Sequence, residues 1–175
     1  MRKLILVPIA MLTVLAGTSV IAQAAVNNKA GLPTATFSGA TVTVTGGDFS
    51  GLGNIPAFAT LTAKGSATYT CTNPKGHASP GQNPVPAKSG LPVEAPLGNS
   101  THNGRGTITN LEASVTAPPT PTAKQVGCGG TGSTKWKVKL DTLTATGAHL
   151  VITQKNKVVF CRNYTLGGPA NGTAC

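Results

Sequence analysis

Acidic residues are nearly missing from this chain: Asp48, Glu94, Glu112 and Asp141 are the only four in 175 residues. Chemistry built on converging carboxylates therefore has little to draw on. A paired-carboxylate glycosidase needs two acids within about 10 Å, and Glu94 and Glu112 read instead as solvent-facing charges. Aromatics are scarce too, with one Trp, two Tyr and four Phe. Most fall on apolar strand faces, which leaves few for a sugar-stacking platform. No Gly-x-Ser-x-Gly elbow, His-Glu-x-x-His helix or phosphate-cradling glycine loop is present. The glycine-rich run Cys128-Gly129-Gly130-Thr131-Gly132 neither follows a strand nor opens a helix. His77 and His102 fall in loops and His149 on a solvent-facing strand position, with too few acids to complete a Ser/His/Asp triad. These gaps predict a protein without catalytic residues, cofactor or metal.

Long apolar runs are missing after the first 25 residues. Arg2 and Lys3 precede the apolar stretch 4–16, and Ala22-Gln23-Ala24 offers a small-x-small cleavage site, which is the pattern of a secretory signal peptide over residues 1–25. The run is too short for a spanning helix of roughly 20 residues. Leu15-Ala16-Gly17 is followed by Thr18 where a lipoprotein box needs cysteine, and Leu32-Pro33-Thr34 sits at the wrong end for a wall-sorting signal. The expectation is a secreted, extracellular, monomeric protein with no membrane span. Beyond the leader, residues 26–40 read as a linker and first edge segment, 41–166 as one domain, and 167–175 as a tail.

Twelve Lys and Arg remain after the leader against the four acids, a net charge of about +8. Such a chain is drawn to polyanions. No Lys/Arg-dense stripe interleaved with aromatics marks a nucleic-acid binder, so the expected partner is an anionic cell-surface polymer or another extracellular protein.

The four cysteines, Cys71, Cys128, Cys161 and Cys175, all lie beyond the leader. An even count in an oxidising compartment reads as two disulfides with three possible connectivities. No C-x-x-C pair supports a zinc site. The favoured set is Cys71–Cys128 with Cys161–Cys175. The second bond closes a loop of about 15 residues, worth roughly 3 kcal/mol in the chain-entropy view, and pins the Gly/Pro/Asn-rich tail.

Helical periodicity is almost absent, and period-two alternation takes its place. Ala59, Leu61, Ala63, Ala67, Tyr69 and Cys71 alternate with polar residues along one long half-buried strand. Gly65, in its middle, suggests a bulge or a close backbone approach. Trp136, Val138 and Leu140 alternate with Lys135, Lys137 and Lys139, which places three lysines on one solvated face beside a buried tryptophan. Ala148, Leu150 and Ile152 pair with Val158, Phe160, Arg162 and Tyr164 in a hairpin turning at Lys155-Asn156, because Asn tolerates positive φ. Thr41–Val44 reads as a strand stopped by Gly46-Gly47. Ile108, Leu111, Ala113 and Val115 form another whose phase slips near Asn110, and Leu91–Ala95 a proline-bearing edge. Residues 73–90 read as loop. Thr120 to Gly127 predicts one helical turn with Thr120 as cap and Pro121 at its first position. Together these predict an all-β, loosely immunoglobulin-like antiparallel sandwich of about seven strands.

At Cys71-Thr72-Asn73-Pro74-Lys75-Gly76, followed by Pro80-Gly81-Gln82-Asn83, the chain resembles a group of small secreted bacterial β-sandwich proteins of uncharacterised role. Ser50-Gly51-Leu52-Gly53-Asn54, Gly127 and Cys128 ahead of the Trp136 strand, and the terminal hairpin extend the resemblance over about Thr41–Leu166. It implies a sandwich and supports the Cys71–Cys128 pairing, which leaves Cys161 and Cys175 to each other. It implies no activity. In a bacterial protein the glycosylation-like tripeptides at Asn99, Asn163 and Asn171 carry no meaning.

Two places stand out as candidate binding sites. One is the long, proline-stiffened loop 77–86, with His77, Pro80, Gln82 and Asn83 held at its root by Cys71; binding residues concentrate on loops carried by rigid scaffolds. The other is the basic face of Lys135, Lys137 and Lys139, with Lys155 and Lys157 as further contributors. Two alternatives stand beside a non-catalytic binding module. One is a small secreted hydrolase using a histidine and one of the acids. The other is a protease inhibitor presenting the Pro80 loop.

Overall fold

Alternating sequence becomes alternating burial along one strand after another. The computed structural model describes residues 27–28, 31–53, 55–97, 104–129 and 135–175. The leader over residues 1–25, Asn54, the Asn99 tripeptide, His102 and the glycine-rich run from Gly130 lie outside those residues. Among the described residues twelve strands follow in order: β1 (Asn27–Asn28), β2 (Thr34–Ser38), β3 (Thr41–Ser50), β4 (Ala57–Thr72), β5 (Ala78–Pro80), β6 (Val85–Pro86), β7 (Lys88–Ser89), β8 (Val93–Pro96), β9 (Gly106–Thr116), β10 (Lys137–Gln154), β11 (Lys157–Thr165) and β12 (Thr173–Ala174). Six of them run five residues or longer, and the other six are short edge pieces.

Every pairing is antiparallel, and the strands form two sheets. In the first, β1 and β2 lie end to end along one edge of β3, with β9 on its other side and β7 beyond. In the second the order is β12-β11-β10-β4, and β5, β6 and β8 line the far edge of β4 one after another. The inward residues of both sheets share one core. It includes Val42, Val44, Phe49 and Leu111 from the first sheet and Leu61, Ala63, Leu150 and Ile152 from the second. Phe49 meets Phe160 edge to face across that core, with ring centroids 5.1 Å apart. β2 also closes on the tail: Ala35 N–H donates to Ala170 O (2.8 Å).

The long strand expected around Ala59–Cys71 is β4, and every second side chain from Ala57 to Cys71, Gly65 excepted, is buried. Gly65 is a close approach: a Cβ there would collide with the Thr144 carbonyl oxygen and come within 3.0 Å of Val115 Cγ2. Register slips beside it, between Ala145 and Gly147. The hairpin turn is at Lys155 and Asn156, with φ of 50° and 59°, the backbone of a two-residue type I′ turn. The phase slip near Asn110 is an extra residue in β9, since Leu111 faces Val44 while Ile108 faces Gly46.

Three expectations are corrected. Gly46 and Gly47 do not end their strand. With φ of 81° and 76° they bulge it, and β3 continues to the fully buried Phe49. Residues 73–90 are not free loop, because parts of the stretch are laced to β4 through β5 and β6. Ala87 N–H still donates to Gly65 O of β4 (2.9 Å), and between β6 and β8 the chain then crosses to the other sheet, where Lys88 pairs with Thr116. Prolines break this edge into pieces, so no run is long enough to read as a strand. Val158 is exposed rather than inward, because register shifts by one between Ile152 and Thr153, leaving Val159 as the extra residue.

Tyr164 is buried under β2, and its hydroxyl donates to Pro33 O (3.1 Å). Burial pushes its phenol from the ordinary 10.0 up to about 12, with the nearby Arg162 charge pulling weakly the other way. A raised phenol favours the fold while neutral, so its contribution is complete below pH 10 and is lost as pH rises toward 12. Urea midpoints should therefore fall across that window in the parent chain and fall less in Tyr164→Phe. Equal slopes would contradict the assignment.

Candidate functional site

The sandwich is longer than its main core. β4 and β10 pair from Ala57–Gln154 at one end to Thr72–Lys137 at the other, and their far halves form a ribbon with a second, smaller core beneath it. Ala67, Tyr69, Cys71, Ala123, Val126 and Cys128 are buried there, with Val85, Trp136, Val138 and Leu143 packed around them. The Cys71–Cys128 disulfide fixes the lid of this core to the ribbon (S–S 2.02 Å). Trp136, expected to be buried, is only half-buried. It shares an open groove of about 520 Å³ with Pro121, Ala123, Lys124 and Val138.

The lid is the segment expected to form one helical turn, and it does so two residues later than expected. Thr122, not Thr120, is the cap: Gln125 N–H donates to Thr122 Oγ1 (3.4 Å), and Thr122 N–H donates to Gln125 Oε1 (2.8 Å). This reciprocal pair is a capping box. At the other end Cys128 N–H donates to Ala123 O (2.7 Å) and Gly127 N–H to Lys124 O (3.2 Å), with Gly127 at φ 74°. That is a Schellman closure, and it delivers Cys128 to the disulfide. The turn is too short to count as a helix, and no α-helix occurs among the described residues.

The proline-rich segment runs along the same ribbon. Asn73 organises its first turn, its Oδ1 accepting from Lys75 N–H and His77 N–H (both 2.9 Å). Ala78–Pro80 then pair with Thr72–Thr70, Gly81 N–H donates to Tyr69 O (2.6 Å), and Asn83 N–H donates to Val126 O (3.1 Å). The side chains of His77, Pro80, Gln82 and Asn83 are exposed, but their backbone is tied down. The segment therefore lies along the edge of β4 with its side chains outward.

Cross-strand neighbours share a face. Pro80 lies opposite Thr70, and Thr70 opposite Lys139; Ala78 lies opposite Thr72, and Thr72 opposite Lys137. The two candidate sites, more than 50 residues apart in the chain, thus flank a single strand on one outer face. Between them stands a row of hydroxyls, with Thr68 and Thr142 linked at 2.6 Å. Lys135, Lys137 and Lys139 are exposed, and among the described residues they form no ion pair. Lys75 and Lys124 sit at the same end, where Asp141 is the one acid among the described residues. Lys155 and Lys157 do not join them: they flank the hairpin turn at the other end of β10, roughly 50 Å away along the strand.

The remaining titratable candidates are dispersed. Glu94 faces outward opposite Thr60 on the second sheet, while Glu112 faces outward opposite Thr43 on the first, so the two carboxylates point away from each other. His77 is in the Asn73 turn. His149 Nδ1 is 2.8 Å from Asn163 Oδ1, an amide rather than a carboxylate. His149 also lies against the second disulfide, Cys161–Cys175, a neighbourhood that sequence reasoning missed. Comparison of the chain with family models, curated proteins and solved structures finds no match.

Proposed function

We propose that the chain is a non-catalytic, extracellular binding module that holds an anionic polymer of a cell surface across the outer face of its ribbon. The reading takes the two sheets as a loosely immunoglobulin-like scaffold of the kind resembled by small secreted bacterial proteins. The observation that carries it is the segregation of charge. Lys135, Lys137 and Lys139 share the outer face, with Lys75 at the same end and Lys124 on the lid beneath, while Glu94 and Glu112 lie elsewhere. A rigid, hydroxyl-lined strip with unpaired ammonium groups suits spaced phosphates or carboxylates. The two intact disulfides and the absence, among the described residues, of any helix long and apolar enough to cross a membrane are consistent with that setting.

Exposed charges are screened over about 8 Å at physiological ionic strength. Retention on immobilised polyglutamate or polyphosphate should therefore be strong at low salt and lost by about 1 M. Equal retention at both ends of that range would overturn the proposal, as would activity on any extracellular substrate that vanishes when a single histidine is replaced.

A further inference from the structure

His149 on β10, Cys161 on β11 and Cys175 just after β12 meet on the second sheet, at the edge away from the lysine-bearing ribbon. His149 on β10 faces Asn163 on β11, and Cys161 sits two residues from Asn163 on the same outer face. Cys175 follows β12, whose whole pairing is Arg162–Ala174 and Asn163–Thr173. The donor atoms of the three side chains lie within 4.8 Å of one another. His149 Nε2 is 3.8 Å from Cys161 Sγ, and Nδ1 is 3.8 Å from Cys175 Sγ.

The imidazole is already oriented. With Asn163 Oδ1 accepting from Nδ1–H at 2.8 Å, the lone pair is left on Nε2, the nitrogen nearer Cys161. A histidine that binds a metal almost always gives its other N–H to such an outer partner. Tetrahedral zinc, with Zn–S of about 2.3 Å and Zn–N of about 2.0–2.1 Å, holds sulfur and nitrogen roughly 3.6 Å apart and two sulfurs roughly 3.8 Å apart. The nitrogen–sulfur spacing is thus nearly in place. The sulfurs, at 1.99 Å, must separate, and only one of them needs to move. Cys175 is exposed and held by the two-residue β12, whereas Cys161 is fixed within the hairpin.

We propose that this cluster is a redox-gated site for a thiophilic cation of the zinc class, closed while Cys161 and Cys175 are bonded and open as a Cys₂His set once they are reduced. A dithiol reductant gives up two electrons and two protons to become a disulfide, and the Cys161–Cys175 bond takes them to become two thiols. The cation then displaces both thiol protons to water and binds two thiolates and His149 Nε2, leaving a fourth position open to solvent. Selectivity between the two disulfides follows from burial: Cys71 and Cys128 are 0% and 4% exposed, so a reductant reaches Cys161–Cys175 first. Soft thiolate and imidazole donors favour zinc over hard cations such as calcium or magnesium.

The test treats the folded chain with limiting dithiothreitol, maps the alkylated cysteines, and titrates the product with cobalt(II) and then zinc alone. Cys161 and Cys175 should be the only cysteines labelled. Cobalt should bind one to one with thiolate-to-metal absorption, and zinc should displace it and block alkylation. Asn163→Ala should weaken cobalt binding roughly 10–100-fold, and His149→Ala at least as much. The oxidised chain should give no such absorption. Four outcomes would each overturn the proposal: simultaneous reduction of both disulfides, no one-to-one cobalt signal, unchanged affinity in His149→Ala, or loss of the near-ultraviolet dichroism of the folded chain on reduction.

Discussion

Replacing Cys71 and Cys128 together by alanine is expected to lower the free energy of unfolding by about 4 kcal/mol. The bond closes a loop of 57 residues in sequence separation, and the chain-entropy relation for a loop of that size gives about 4 kcal/mol. The location adds to the entropic argument. Both sulfurs are buried in the small core under the ribbon, and nothing else covalent holds the Thr122–Gly127 lid to β4. The capping box and Schellman closure stabilise the turn itself but leave it undocked. Urea unfolding followed by Trp136 fluorescence reads the effect, because that ring packs against the same core. The free chain should also show a red-shifted Trp136 before global unfolding, since the small core is expected to open first. A loss of less than about 1 kcal/mol would mean that the ribbon is held by the sheet alone.

The second large effect belongs to the main core. Leu150→Ala is expected to cost about 3 kcal/mol, within the range of about 2–5 kcal/mol for a buried leucine cut to alanine. Leu150 is fully buried and lies directly opposite Leu61, itself fully buried, in the β4–β10 ladder. Phe49 and Ile152 belong to the same buried core, and strands paired on both sides of β10 resist collapse into a cavity. Leu140→Ala, at 36% exposure on the same strand, is the matched control and should cost far less. Equal losses would show that the burial pattern assigned to β10 is wrong.

Much of this architecture is legible in the residues. Where one face of a strand is fully buried, the period of two is written plainly, as along β4, and the Lys155-Asn156 turn is readable because few residues accept its backbone. Both disulfides follow the pairing that the sequence favours. The bulges are harder to see. With an unbroken two-residue hairpin, Cys161 would pair with Leu150 and point inward. The extra residue at Val159 moves it opposite Val151, to the outer face, and brings it beside His149. A one-residue register shift flips every side chain beyond it, and nothing in the local composition announces this one. The Gly46-Gly47 bulge reads as a stop for the same reason. The edge pieces β5 and β6 stayed hidden because their prolines and glycines carry a loop's composition, while their pairing depends on β4 rather than on their own propensity; the edge read at Leu91–Ala95 is β8. The basic strip was readable as alternating lysines, but its meeting with the Pro80 segment across β4 was not, since that contact exists only in the fold.

The central functional claim rests on Lys135, Lys137 and Lys139 acting together on a polyanion. The most direct measurement is the slope of log affinity against log salt concentration on polyphosphate, compared between the parent chain and the K135Q/K137Q/K139Q variant. Each neutralised phosphate contributes somewhat less than one unit of slope through counterion release, about 0.7–0.9 on nucleic-acid polyanions. The account predicts that the variant loses roughly two units of slope while its urea midpoint is unchanged, because these lysines are exposed and unpaired. An unchanged slope in a folded variant would contradict it.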